Sequence, residues 1–128
     1  MKPAVLVDLV TGQKHVITPD DEKVLNIGRS RECDIRTSYA YNLVSRIHAC
    51  LVYQTDGMLF LWDNKSRNGT FVERQGEKEP IYHRTQIFPE EKIFLGDYPF
   101  KYERRDIIAE QRAEERQRDE DTKLIDLK

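Results

Sequence analysis

Three short stretches of the chain gather side chains of one chemical character. They are Gly28-Arg29-Ser30, Asn42-Leu43-Val44-Ser45-Arg46-Ile47-His48 and Asn64-Lys65-Ser66-Arg67-Asn68-Gly69-Thr70. Between them they offer guanidinium groups from Arg29, Arg46 and Arg67, an ammonium from Lys65, hydroxyls from Ser45 and Ser66, and an amide from Asn68. Such donors suit an anion with several acceptor oxygens. A phosphate ester is one, with roughly −1.5 to −2 charges at pH 7 and three strong acceptors. Arginine meets it with a planar two-pronged fork, whereas lysine acts as a point charge.

Catalysis and metal binding find less support in the same residues. Ser45, His48 and Asp63 are the residue types of a hydrolytic triad. The chain has no Gly-x-Ser-x-Gly elbow, however, and a serine at the start of a strand is not the exposed, strained turn that such a nucleophile needs. His15, His48 and His83 share no ligand spacing with Cys33 or Cys50, so no metal or cofactor is expected. Cys50 lies within an apolar run and reads as a small buried hydrophobe. Asn64-Lys65-Ser66 and Asn68-Gly69-Thr70 match the glycosylation pattern, which has no meaning without a secretion signal.

The elements that must position these stretches read as short strands. Residues 4–10 are apolar and β-branched, and Thr11-Gly12 ends them; residues 24–27 form another run, stopped by Gly28. A hairpin is expected from Ile47–Gln54 and Met58–Trp62 around Thr55-Asp56-Gly57, where glycine tolerates positive φ. Both arms are apolar at nearly every position, as in a strand covered on two faces, and Phe60 and Trp62 read as core. Residues 70–72, 86–88, 92–95 and 99–102 continue the pattern. Short strands at this spacing indicate an all-β sandwich or barrel.

The chain has 128 residues, with 21 basic and 23 acidic side chains and a formal net charge of −2. That length suits one domain. Without a basic excess, generic nucleic-acid binding is not expected. No apolar run approaches the ~20 residues of a membrane helix. The first apolar run breaks at Asp8, too early for a signal peptide. The expectation is a soluble, reduced, cytoplasmic domain over residues 1–103 and a charged tail over 104–128. Residues 103–128 carry 9 acidic and 7 basic side chains, leaving 14 of each in residues 1–102. Segment 104–121 is rich in helix formers but has no sustained apolar stripe, which leaves a solvated helix or linker and a partner-binding helix both open.

Taken in order, Gly28-Arg29-Ser30, Ser45-Arg46-Ile47-His48, Asp63 through Ser66-Arg67-Asn68-Gly69-Thr70-Phe71-Val72, and Ile93-Phe94-Leu95-Gly96 resemble the forkhead-associated (FHA) domain. The resemblance spans about residues 24–102 and leaves out the tail. It implies an eleven-stranded β-sandwich that binds phosphothreonine peptides through loops at one end. Arg29 and Ser45 would then contact the phosphate, Arg46 would add a contact, and Asn68 would hold the peptide backbone. Gly28, His48 and Gly69 would be structural. Arg67 departs from the family pattern, where a small hydroxyl residue is common, and could grip the phosphate or an acidic neighbour. Glu73-Arg74-Gln75 replaces the family's frequent Asn-Gly and puts the next turn in doubt.

The implied function is that of a non-catalytic adaptor reading phosphothreonine written by an upstream Ser/Thr kinase. The alternative is a structural or assembly protein that uses the sandwich surface or the tail without phosphate. Thr122 follows Asp119-Glu120-Asp121 and has Ile125 three positions on, so once phosphorylated it could dock on a neighbouring copy.

Overall fold

Asp8 shows how a local interaction ends a strand here. Its carboxylate takes the amides of Val10 and Thr11 at 2.8 and 2.9 Å, folding the chain back on itself. In the computed structural model, which describes residues 3–104, this turn closes β1 (Ala4–Asp8) and leads into β2 (Lys14–Ile17). There follow β3 (Leu25–Gly28), β4 (Ile35–Arg36), β5 (Ala49–Tyr53), β6 (Leu59–Asp63), β7 (Thr70–Arg74), β8 (Glu77–Pro80), β9 (Thr85–Ile87), β10 (Lys92–Leu95) and β11 (Tyr98–Arg104). They form a six-stranded sheet in the order β2-β1-β11-β10-β7-β8 and a five-stranded sheet in the order β4-β3-β5-β6-β9. All pairings are antiparallel except β3 with β4. The chain is thus an all-β sandwich of eleven strands.

Alternation along the strands builds the core. Leu6, Ile27, Leu51, Leu61, Val72, Ile93, Leu95, Phe100 and Tyr102 turn inward and are all but inaccessible. Each such large side chain contributes roughly 1.5–3 kcal/mol on burial. β5 is buried at every position, as its unbroken apolar run requires. β6 differs from expectation. Leu59 and Leu61 point into the core, but Phe60 and Trp62 lie on the outer face, partly exposed, so they are not core residues. They sit opposite Val52 and Cys50 on β5. The Arg84 guanidinium covers both rings at 4.9 and 5.3 Å. A cation over aromatic faces takes the place of a second packed layer.

The expected hairpin forms, with Gly57 at φ 89° and the Gln54 amide bonded to the Met58 carbonyl at 2.9 Å. The turn in doubt after Phe71-Val72 forms once the strand has run two residues past its expected end, to Arg74. Gln75 and Gly76 both have positive φ, 55° and 79°, and close a tight two-residue hairpin between β7 and β8. Arg104, assigned by sequence to the tail, is the last residue of β11 and pairs with Ala4. The helix expected in the tail, and Thr122, lie outside the described residues.

Candidate functional site

Val44 is an apolar residue in a polar loop, and its side chain is fully buried in the core. It nails down the β4–β5 connection, and the neighbouring atoms serve as mooring points for the other loops. The Asn68 side-chain amide donates to the Leu43 carbonyl at 2.9 Å. Arg29 Nε donates to the Val44 carbonyl at 3.0 Å. The Arg67 amide donates to the Ser45 hydroxyl oxygen at 3.1 Å. Three consecutive residues therefore gather the three separated stretches. Ser45 Oγ accepts that bond and keeps its own hydrogen uncommitted among the described residues.

Gly28 permits the closest approach. A Cβ there would lie 2.2 Å from the Arg46 carbonyl oxygen and 3.0 Å from the His48 nitrogen. Without one, the Arg29 and Ser30 amides reach the Ser45 and Arg46 carbonyls at 3.2 and 3.0 Å. His48, fully buried, bonds to two loops at once. Its Nδ1 accepts the Ser45 amide at 3.0 Å, and its Nε2–H donates to the Gly69 carbonyl at 2.8 Å. Burial lowers its pKa, against the opposing pull of the Gly69 carbonyl and Asp63. The neutral ring this favours is the form that can accept at one nitrogen and donate at the other.

The β6–β7 loop is internally braced. Ser66 Oγ donates to Asp63 at 2.5 Å and accepts the Gly69 amide at 2.9 Å, while Thr70 Oγ1 donates to Asp63 at 2.7 Å. Burial alone would raise the Asp63 pKa. The bonds from Ser66 and Thr70, with His48 nearby, outweigh it and hold the carboxyl below its ordinary value. Gly69 carries φ 84°, a conformation that suits glycine. Ser66, counted by sequence among the groups offered to a ligand, is thus committed to the loop. The triad alternative fails on the same geometry, because His48 meets the Ser45 amide and Asp63 serves Ser66 and Thr70.

Arg29 and Arg46 line an open depression of about 300 Å³, together with Ser30, Arg31, Glu32 and Tyr39. Ser45, Arg67 and Asn68 are not among its lining residues; the bonds to Val44, Ser45 and Leu43 tie their loops to that of Arg29. Sequence reasoning did not single out Tyr39 or Arg31. The Arg29 guanidinium lies 5.7 Å from the centre of the exposed Tyr39 ring, and that of Arg36 lies 5.6 Å from the same centre. No motif marks these two residues. The available signal was an exposed aromatic flanked by arginines three and ten residues before it.

The chain is a two-sheet sandwich that displays cations and a hydroxyl on interlocked loops, the architecture of a loop-bearing recognition module. The FHA domain profile matches residues 25–96, and the chain belongs to the FHA domain family. FHA domains bind phosphothreonine peptides and are non-catalytic modules. Among solved structures, the chain is similar to Mycobacterium tuberculosis EmbR in complex with a low-affinity phosphopeptide. The identity is 25% and the TM-score 0.66, over 80% of this chain and 24% of that one. The chain thus spans about a quarter of EmbR. The FHA domain of CT664 from Chlamydia trachomatis shares the fold at 23% identity and TM-score 0.68, over 80% and 98% of the two chains. So does the N-terminal FHA domain of S. cerevisiae Rad53p, solved with a phosphothreonine peptide. There the identity is 19% and the TM-score 0.63, over 83% and 96%. No curated protein matches the chain in a search by similarity.

Proposed function

We propose that this chain is a phosphothreonine-peptide receptor acting as a non-catalytic, cytoplasmic adaptor downstream of a Ser/Thr kinase. The observation that carries the reading is the mooring of Arg29, Arg67 and Asn68 on Leu43, Val44 and Ser45. It ties the loops that carry the Arg29 guanidinium, the Ser45 hydroxyl and the Asn68 carboxamide to one three-residue segment, which supports the reading. In this reading Arg29, Arg46 and the Ser45 hydroxyl take the phosphate, Asn68 takes the peptide backbone, and Arg67 adds a cation. Gly28, His48 and Gly69 set the loops.

The discrimination is electrostatic. An unmodified threonine offers the arginines nothing to pair with, whereas a phosphate forms charge-assisted hydrogen bonds worth roughly 1.5–3 kcal/mol each. Since ~1.4 kcal/mol is a factor of ten, two such bonds separate bound from unbound. Titrating a degenerate phosphothreonine peptide library, with its unphosphorylated twin as control, tests the reading. Binding of both alike would favour the phosphate-independent assembly role instead.

Self-association belongs to the same proposal. Phosphorylated Thr122 of one copy docks in the site of another. Sedimentation of Thr122-phosphorylated chain should show a dimer or larger species, and a monomer with an empty peptide site would end the idea.

A further inference from the structure

Each sheet ends in a strand with no neighbour beyond it among the described residues, β2 in one and β4 in the other. Between these two edges lies an open cleft of about 400 Å³. Lys14, Val16 and Ile17 of β2, Lys23 and Leu25 at the start of β3, and Ile35 of β4 line it. It shares no lining residue with the depression beside Arg29. Ile17 and Ile35 are buried in the core, whereas Val16 is 55% exposed and the neighbouring Val24 49%. An edge that offers unpaired backbone groups beside exposed valines is one that folded chains cover.

Lys14 and Lys23 give the cleft its charge. Neither forms an ion pair among the described residues, where ion pairs join Arg74 to Glu91 and Lys101 to Glu90 and Glu103. Asp34, the carboxylate on the lining, accepts the Asn26 amide at 2.9 Å. Asp20 and Asp21, just before Lys23, accept bonds from the Glu22 amide and from Thr55. The surface therefore suits a strip of chain that carries acids next to apolar side chains.

The C-terminal segment has that composition and that reach. Asp119-Glu120-Asp121 is followed by Leu124, Ile125 and Leu127. β11 ends at Arg104, which pairs with Ala4, and Ala4 pairs with Ile17 on the cleft. The last described residue thus lies two strand spacings, about 10 Å, from Ile17. Residues 105–118 span about 21 Å as a helix and more than twice that when extended, enough to bring Asp119 to the cleft in either form. The nearer apolar pair, Ile107-Ile108, comes close behind Arg104-Arg105, which the two lysines repel.

We propose that residues 119–127 dock in the cleft between β2 and β4 of their own chain. Asp119, Glu120 and Asp121 lie against Lys14 and Lys23, and the three apolar side chains lie against Val16, Val24 and Leu25. The contact needs no phosphate and covers both sheet edges at once. It is separate from the phosphothreonine reading and describes the chain before Thr122 is phosphorylated. Docking of phosphorylated Thr122 on another copy requires the segment to leave the cleft.

The test uses the unphosphorylated full chain, as an equal mixture of isotopically light and heavy protein. A carbodiimide joins touching lysine and carboxylate groups without a spacer. Digestion and mass spectrometry should find Lys14 or Lys23 joined to segment 119–121 within one isotopic form. Hydrogen exchange of the β2 amides supplies a second readout. Asp119→Asn/Glu120→Gln/Asp121→Asn, or Leu124→Ser/Ile125→Ser/Leu127→Ser, should speed that exchange about threefold or more and leave β5 unchanged. Neither variant replaces a residue of the sandwich. Lys14→Glu/Lys23→Glu should act alike, and adding Asp119→Lys/Asp121→Lys to it should restore slow exchange. Absence of the crosslinks, links only between light and heavy chains, or unchanged β2 exchange in both tail variants overturns the inference. Links between light and heavy chains would make a second copy the occupant. No phosphopeptide enters the experiment, so its failure is distinguishable from failure of the phosphothreonine reading.

Discussion

Arg29 donates from Nε to the Val44 carbonyl at 3.0 Å, so the side chain is oriented before any ligand arrives. The bond uses one edge of the guanidinium and leaves the far nitrogens for an anion. Lysine cannot reproduce this, because it has a single charged nitrogen and no fixed fork. Arg29→Ala should cost on the order of 2–5 kcal/mol of phosphopeptide binding, as for loss of one partner of a buried charge pair. Arg29→Lys should recover little of it. Calorimetry on both variants checks this, and wild-type affinity in either would remove Arg29 from the phosphate contacts.

Gly28→Ala should damage fold and site together. The added methyl would lie 2.2 Å from the Arg46 carbonyl oxygen, so the β3 end and the Ser45–His48 segment must part. Overpacking of this kind costs about 1–3 kcal/mol. Thermal unfolding should drop by several degrees, at roughly 4–8 °C per kcal/mol for a domain of this size. An unchanged midpoint would show that the loops can move apart without loss.

Acid should weaken the fold through His48. Its folded pKa lies below the ordinary value of 6.5, chiefly because of burial. Below pH 6.5 the unfolded chain takes up a proton that the folded chain still refuses, so stability falls as pH drops through the lower, folded pKa. Above pH 6.5 this contribution is complete and flat. His15 is also lowered, mainly by burial with Asp8 opposing, and adds a slope of the same sign. Denaturant midpoints between pH 7.5 and 5 should therefore decline in wild type. The decline should be shallower, not absent, in His48→Gln. Identical slopes would remove His48 as a source.

Tyr98→Phe should destabilise without touching the anion site directly. The Tyr98 hydroxyl donates to Asp8 at 2.5 Å and accepts the Ser38 amide at 3.0 Å, tying β1 to the loop after β4. Burial first, and the Asp8 bond second, push its pKa well up, so it stays a donor at all working pH values. Removing the oxygen leaves buried partners unpaired, at a cost of about 1–3 kcal/mol. Chemical denaturation measures it, and a loss below a few tenths of a kcal/mol would contradict the assignment.

The strands visible in the sequence were those with one face in the core. β5, β7, β10 and β11 carry apolar residues where the inner sheet face demands them. β2, β4 and β8 escaped notice because each is a short edge strand with at most one buried residue. β9, also an edge, showed through the apolar pair Ile87-Phe88. β8 reads Glu-Lys-Glu-Pro and is exposed throughout, so hydrophobicity leaves no trace there. Phe60 and Trp62 misled because aromatic bulk says nothing about which face a strand turns outward. At the site, residue types indicated the ligand chemistry, but not which groups the loops keep for themselves. Ser66 is consumed by Asp63, and the mooring role of Val44 shows only once its side chain is seen in the core. Arg36 and Tyr39 come together through a strand edge that composition does not reveal.

The segment from Leu43 to Ser45 has a dynamic consequence. Groups tied to one short segment that the buried Val44 anchors share its position, so under the proposed function a peptide meets loops organised in advance and need not order them on arrival. Encounter should then proceed with little rearrangement, and differences among ligands should appear mainly in how long each one stays.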